Sequence, residues 1–89
     1  MVRMFIRHGV RDYAKWRRAY NAFDKERRGM GVSKHAVYRG VAKPNDVTVT
    51  HDFATITKAK AFTASRRLRE VMKDAGVRTA PVIWYVKQA

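Results

Sequence analysis

The order in which hydrophobic periodicity changes along the chain restricts its fold more than any other feature. Apolar residues stand at every second position from Val2 to Ile6, which predicts a strand over Val2 to His8 with one face in a core. After Asp12, a good helix N-cap, the spacing changes to three and four residues. The resulting stripe predicts a helix that ends near Gly29 and Gly31. Its members are Tyr13, Trp16, Tyr20, Phe23, Arg27 and Met30.

A hairpin is predicted in the middle of the chain. Ser33 to Val41 is rich in β-branched and aromatic residues, and the turn cluster Lys43 to Asp46 follows it. Val47 to Phe53 then alternates over its first four positions, as a returning strand does.

The last third of the chain predicts a second helical region and a fourth strand. Thr55 or Thr57 caps the region, and Ser65 can cap a further turn. Gly76 ends it, and Pro81 precedes a strand over Val82 to Val86. The apolar positions of the region are Ala59, Phe62, Leu68, Val71, Met72 and Ala75.

This βαββαβ order predicts a ferredoxin-like α+β fold. Two right-handed crossovers in one antiparallel sheet give the strand order 4-1-3-2, with both helices on one face. Eighty-nine residues suit one core, so residues 1–89 are expected to form one domain. The other sheet face would be bare, and an apolar surface of that size calls for a partner, most simply a second copy of the chain.

Composition narrows the class of protein. No stretch approaches the roughly 20 apolar residues of a membrane-spanning helix, and the chain has no cysteine, so we expect a cytoplasmic protein without disulfides or thiolate sites. The formal net charge of +13 would attract polyanions. The basic residues are spread along the whole chain, however, which is also typical of a solvated surface.

Three segments carry a resemblance to a known family. They are Val10 to Trp16, Ser33 to Arg39 and Ala59 to Phe62. Together they resemble the dimeric α/β-barrel superfamily, which includes antibiotic-biosynthesis monooxygenase-like and small cyclase-like proteins. The resemblance implies a homodimer whose two sheets face each other around a cavity for a small organic molecule, and an oxygenase chemistry that uses no cofactor. Relatives that degrade haem use a helical histidine, whereas His8, His35 and His51 all fall in predicted strands.

Strand parity divides the candidate site residues between the two sheet faces. The face away from the helices should present Arg3, Phe5 and Arg7 from the first strand, Lys34, Ala36 and Tyr38 from the second, and Thr48, Thr50 and Asp52 from the third. His51 points away from Asp52, so the two cannot form a catalytic dyad. Trp84 and Tyr85 lie on opposite faces, and parity leaves open which of them lines the cavity.

Three residues are candidates for catalysis. Asp52 suits a general base, or else an ion pair with Arg3 or Arg7. Tyr38 suits substrate orientation or proton donation, or else interface packing. His8, at a strand end, suits an acid or base at the cavity mouth, or else a solvated imidazole. His35 and His51 share a face of the hairpin, but without a third ligand no metal site is predicted.

Three functions fit these features. The first is a homodimer that binds a small organic molecule between its sheets, as a cofactor-independent monooxygenase or cyclase-like enzyme. The second is a dimeric binding or structural module without catalysis. The third is a nucleic-acid or other polyanion binder, although the third strand lacks the aromatic platform that RNA-recognition domains of this topology carry.

Overall fold

The computed structural model describes all 89 residues. The secondary-structure elements are β1 (Val2–Gly9), α1 (Tyr13–Ala22), α2 (Asp24–Gly29), β2 (Lys34–Arg39), β3 (Asp46–Phe53), α3 (Ile56–Thr63), α4 (Arg66–Asp74) and β4 (Val82–Val86). None of the helices combines the length and the hydropathy that crossing a bilayer requires.

The four strands form one antiparallel sheet in the order β2-β3-β1-β4, which confirms the predicted order. The central pair is in register from Val2 opposite Phe53 to Gly9 opposite Asp46. β2 is shorter than predicted, beginning at Lys34 and ending at Arg39. After it, the amide of Gly40 donates to the Asp46 carbonyl and so closes the hairpin.

The helix caps follow the sequence prediction closely. Asp12 accepts a hydrogen bond from the amide of Lys15, and Ser65 accepts one from Leu68. Of the two threonine candidates, Thr55 is the cap, since its hydroxyl accepts the Lys58 amide. These bonds satisfy amides that the first helical turn leaves without partners.

The first predicted helix is broken into two. Phe23 ends α1 with its amide shared between the carbonyls of Ala19 and Tyr20, and α2 begins at Asp24. The apolar stripe predicted one continuous helix because it continues in register across this break. The break matters because it brings Asp24 and Arg27 of α2 close to the end of the sheet.

The core lies between the sheet and the helices. Its buried apolar residues are Met4, Ile6, Val10, Trp16, Tyr20, Phe23, Val32, Val47, Val49, Phe53, Ala59, Phe62, Leu68 and Ala75. The side chains that alternate with them on the strands form the other sheet face, which no helix covers and which we call the open face. In β1 burial alternates as predicted. In β3 the register places Thr48, Thr50 and Asp52 opposite Arg7, Phe5 and Arg3 on the open face, as predicted, although Thr50 and Asp52 are themselves buried.

Candidate functional site

The open face holds most of the side chains that strand parity assigned to it. The residues on it from the predicted set are Arg3, Phe5, Arg7, Lys34, Ala36, Tyr38, Thr48, Thr50, Asp52 and Trp84. Phe5 and Trp84 stack with ring centroids 5.0 Å apart and planes within 4°. Tyr38 and Trp84 are 58% and 39% exposed, so the open face presents large apolar surface to solvent.

Two ion pairs order the polar part of the open face. Arg3 donates to both carboxylate oxygens of Asp52, at 2.7 and 3.1 Å, so Asp52 has the ion pair that was one of its two interpretations. This hydrogen bonding holds the pKa of Asp52 below its usual value. Arg7 pairs instead with Asp46, at 3.0 and 2.6 Å. Both arginines are therefore neutralised by carboxylates, which leaves this face less attractive to polyanions than its arginines suggest.

Two predicted site residues lie on the other face. Tyr85 points toward the helices and shares a hydrogen bond of 2.7 Å with the Thr63 hydroxyl, so Trp84 is the residue of this pair that belongs to the open face. His8 is not a solvated strand end: it is 4% exposed and its ring contacts Trp16 edge-on at 5.7 Å. The reason is parity, since His8 shares a face with Met4 and Ile6.

The fold encloses a pocket between the sheet and the helices, which we call the interior pocket. Its volume is about 40 Å³, and ten of its thirteen lining residues are hydrophobic. The lining residues are Ile6, His8, Trp16, Tyr20, Phe23, Arg27, Val49, His51, Phe62, Leu68, Val71, Met72 and Ala75. That volume is well below the roughly 150 Å³ of a cavity known to take benzene.

Polar groups in the interior pocket lack partners. His8 Nδ1, His51 Nδ1 and Arg27 Nε are buried without a hydrogen bond, and their side chains are 2 to 4% exposed. An unpaired buried donor or acceptor costs about 1 to 3 kcal/mol. Such groups are rare in folded proteins unless water or a ligand satisfies them. All three belong to the lining of one pocket, which makes it the candidate functional site.

The two histidines stand at opposite ends of the interior pocket. Met4 is opposite His51 in the sheet, and His8 lies four residues further along β1, or about 13 Å at the usual strand rise. Trp16 and Tyr20, stacked at 5.0 Å, bridge the space between them. His51 contacts Phe62 at 5.0 Å and Tyr20 at 6.4 Å. The pocket is thus an aromatic slot with an imidazole at each end.

Burial sets the protonation of this slot. Burial lowers the pKa of His51 to about 3, with a further contribution from the positive charge of Arg27. Burial also lowers the pKa of His8. Both imidazoles are therefore neutral at neutral pH, and each can donate or accept a proton. The pKa of Arg27 is also lowered by burial, but a guanidinium keeps its proton in this range.

Arg27 places a positive charge against the aromatic slot. Its guanidinium carbon lies 3.8 Å from the centre of the Tyr20 ring. Nη2 donates to the Tyr20 carbonyl at 2.8 Å, and Nη1 reaches Asp24 at 3.3 Å. Nε is buried without a hydrogen-bond partner. An oxygen that carries negative charge would suit this donor best.

His35 and His51 are directly opposite in the hairpin, with rings 6.3 Å apart. No group of three metal-ligating side chains is present in the structure. The Nε2 of His35 instead faces Asp24 at 3.0 Å. Of the two histidines, only His35 therefore contacts a side chain of α2.

Comparisons with solved structures identify the fold. The chain matches an antibiotic biosynthesis monooxygenase with a TM-score of 0.75 at 8% identity, over 100% of this chain and 99% of that one. It matches SnoaB, a cofactor-independent oxygenase from Streptomyces nogalater, with a TM-score of 0.75 at 13% identity, over 99% and 94%. A conserved protein from Methanosarcina mazei Go1 gives 0.77 at 12%, over 99% and 92%.

No family model and no curated protein sequence matches the chain. The structural likeness therefore confirms the fold, which is that of antibiotic biosynthesis monooxygenase-like proteins. It agrees with the resemblance seen in the sequence.

Proposed function

We propose that this protein is a homodimeric, cytoplasmic α/β-barrel protein that binds a small hydroxylated aromatic molecule and oxygenates it without a cofactor. The observation that carries the proposal is the interior pocket, because three of the residues that line its otherwise apolar walls each carry a buried nitrogen without a hydrogen-bond partner. Mostly apolar walls with a few convergent polar groups are typical of small-molecule sites. The oxygenase part is supported by the structural neighbour described as a cofactor-independent oxygenase.

For the small molecule, which we call the guest, to enter the interior pocket, one of the elements that form the pocket wall must move. The interior pocket is too small for an aromatic ring at about 40 Å³. α4 is the wall that gives way most easily, because Leu68 is the only buried residue among its nine. Val71 and Met72 line the pocket and are only partly buried. Elements with few buried apolar contacts are those that open at low free energy.

The pocket's charges suit the chemistry that a cofactor-free oxygenase needs. Such an enzyme must convert its guest to an electron-rich anion, because the guest itself supplies the electrons that reduce dioxygen. Arg27 stabilises negative charge on the guest, and the neutral imidazoles of His8 and His51 can form hydrogen bonds to it. In the overall reaction a ring CH₂ and dioxygen become a carbonyl group and water, so no other oxidant or reductant is consumed.

Self-association through the open face completes the proposal. Its exposed apolar residues include Tyr38, Val82, Trp84 and Val86, which are all more than a third exposed. A two-fold contact would cover this patch on both copies at once. The interior pocket lies on the opposite face of the sheet, so each copy would keep its own pocket.

Binding and turnover can be tested together with a hydroxyanthrone, a tricyclic aromatic ketone with a phenolic hydroxyl and a ring CH₂ group that oxygenation converts to a carbonyl. In a Trp84→Phe background Trp16 is the remaining tryptophan, so quenching of its fluorescence reports occupancy of the interior pocket. Turnover is followed as oxygen uptake, with mass spectrometry of the quinone product. We expect quenching and uptake, both lost in Val71→Phe, which fills the pocket.

The matched control is Val41→Phe, the same substitution at a fully exposed loop position. It should leave quenching and oxygen uptake unchanged. Quenching without oxygen uptake would favour a binding module without catalysis. Absence of both would contradict the proposed function.

A further inference from the structure

One hydrogen bond and one short ionic contact lead from the interior pocket to the protein surface. Tyr20 lines the pocket, and its hydroxyl is 2.5 Å from His35 Nδ1. His35 Nε2 is 3.0 Å from Asp24 Oδ1. The side chains of His35 and Asp24 are 27% and 34% exposed, so the far end of the chain meets solvent. The three residues come from α1, β2 and α2, and we call them the Tyr20 chain.

The partners fix the direction of the hydrogen bonds. A carboxylate can only accept, so His35 Nε2 carries the proton that is donated to Asp24. The Nδ1 of a neutral imidazole is then an acceptor, and the Tyr20 hydroxyl donates to it. Burial lowers the pKa of His35, with Arg27 acting in the same direction and Asp24 against it. Burial raises the pKa of the Tyr20 phenol, so it is protonated at neutral pH.

His35 faces charged groups on α2 and a neutral histidine on β3. Asp24, Arg27 and Arg28 belong to α2, and the Asp24 carboxylate lies within 3.3 Å of a nitrogen of Arg27, of Arg28 and of His35. The neutral His51 faces His35 from β3. The carboxylate is thus the one negative charge next to the imidazole, and it is positioned to stabilise an imidazolium.

We propose that Tyr20 withdraws a proton from the guest of the interior pocket, and that His35 and Asp24 pass this proton to solvent. The inference rests on the proposed function, because it requires an acidic guest in the pocket. It assigns a catalytic role to Tyr20 and positioning roles to His35 and Asp24. These roles do not follow from the list of residues that line the pocket.

The proton transfer balances as follows. The O–H or C–H bond of the guest breaks and its proton moves to Tyr20 Oη, while the original Tyr20 hydroxyl proton moves to His35 Nδ1. The guest becomes an anion next to Arg27, and His35 becomes an imidazolium paired with the Asp24 carboxylate. The imidazolium then loses its Nε2 proton to water at the exposed edge. Tyr20 is neutral before and after the transfer, in keeping with its raised pKa.

Arg27 also lines the interior pocket and contacts Asp24, but it cannot carry the proton of the guest out of the pocket. A guanidinium does not release its proton near neutral pH. Its bond to the Tyr20 carbonyl instead links α2 to α1, and its bond to Asp24 lies within α2. Tyr20 is therefore the lining residue through which a mobile proton can leave the pocket.

The test uses 4-nitrophenol, whose visible absorbance separates the phenol from the phenolate. Binding is measured first, by calorimetry, and the ionisation of the bound probe is then followed against pH. We expect Tyr20→Phe and His35→Gln each to raise the pH at which the bound probe ionises by about one unit, a tenfold change in its ionisation constant. The double variant should show no further shift, because both residues act in one chain.

The matched control is Tyr13→Phe, which removes a hydroxyl from the same helix at a residue outside the pocket lining. It should leave the ionisation of the probe unchanged. A second measurement needs no ligand: nitrogen NMR should show His35 protonated at Nε2, with the Nδ1 resonance shifted in Tyr20→Phe. This readout detects the hydrogen bond itself and does not depend on activity.

The outcomes separate the two proposals. Binding of the probe with an ionisation that Tyr20→Phe and His35→Gln leave unchanged would overturn the Tyr20 chain and spare the proposed function. A His35 protonated at Nδ1 in the free protein would also overturn the chain. Failure of the probe to bind would contradict the pocket as a site, and with it both proposals.

Discussion

Replacing Arg27 by methionine separates the contribution of this residue to ligand binding from its contribution to folding. Methionine retains the unbranched apolar stem and removes the charge and the unpartnered Nε. We expect Arg27→Met to fold with nearly unchanged stability while it loses most of its affinity for the guest of the interior pocket.

The magnitude follows from the contacts of Arg27. Its bond to the Tyr20 carbonyl, 2.8 Å long, is a charged hydrogen bond worth about 1.5 to 3 kcal/mol. The contact with the Tyr20 ring contributes about 1 kcal/mol. The pair with the partly exposed Asp24, at 3.3 Å, adds at most about 1 kcal/mol.

Desolvation of the guanidinium opposes these contacts. Burying one ion costs several kcal/mol, which is the same size as the contacts together. We therefore expect Arg27→Met to change the free energy of unfolding by no more than about 1 kcal/mol, or about 4 to 8 °C in Tm. Truncation of a core residue of similar burial, Phe62→Ala, should cost about 3 to 5 kcal/mol.

Thermal unfolding followed by circular dichroism, at one fixed protein concentration, measures the stability of each variant. Calorimetry with 4-nitrophenol measures affinity, which should fall about 10- to 100-fold with the loss of one charged hydrogen bond. Arg28→Met is the matched control, since Arg28 also pairs with Asp24 but is exposed and outside the pocket. If Arg27→Met lowers Tm as much as Phe62→Ala does, Arg27 is a structural residue and the reasoning fails.

Three further predictions concern other parts of the molecule. Val82→Asp on the open face should convert the proposed dimer to monomers, as measured by light scattering. Val41→Asp, in an exposed loop, should leave the dimer intact. A monomeric wild-type protein would refute dimerisation through this face. The pKa of Asp52 is depressed by Arg3, so its stabilising effect is present above about pH 4 and is lost as the pH falls further. Asp52→Asn should flatten this acid limb of a Tm against pH plot, and an unchanged limb would exclude the ion pair as its cause. The pKa of His51 is about 3, so this residue destabilises the fold as the pH falls from 6.5 toward that value, because the unfolded chain binds the proton first. The NMR signals of His51 should therefore not titrate above about pH 5. Titration near pH 6.5 would show a solvated imidazole.

Strand parity was sufficient to predict the sheet and its two faces. Alternation has a period of two residues, so one correctly placed residue such as Met4 fixes the face of every other residue in its strand. Parity could not choose between Trp84 and Tyr85, because β4 is short and apolar on both faces. The pairing of Phe5 with Trp84 across β1 and β4 makes that choice.

The interior pocket was not predicted, although a signal for it was present. His8, His51 and Arg27 all fall on otherwise apolar faces of their elements, and polar residues at such positions are candidates for lining a buried site. The Tyr20 chain gave no comparable signal. It depends on the helix break at Phe23, which the continuous apolar stripe concealed, and on how closely α2 approaches β2.

β3 carries His51 toward the interior pocket and the adjacent Asp52 toward the open face. A single strand thus serves both surfaces through alternate side chains, with no residue in common. The proposed small-molecule binding and the proposed self-association can for this reason be varied separately, with one library restricted to the pocket lining and another to the open face. An insertion or deletion of one residue within β3 would exchange the two sets of side chains and destroy both properties at once.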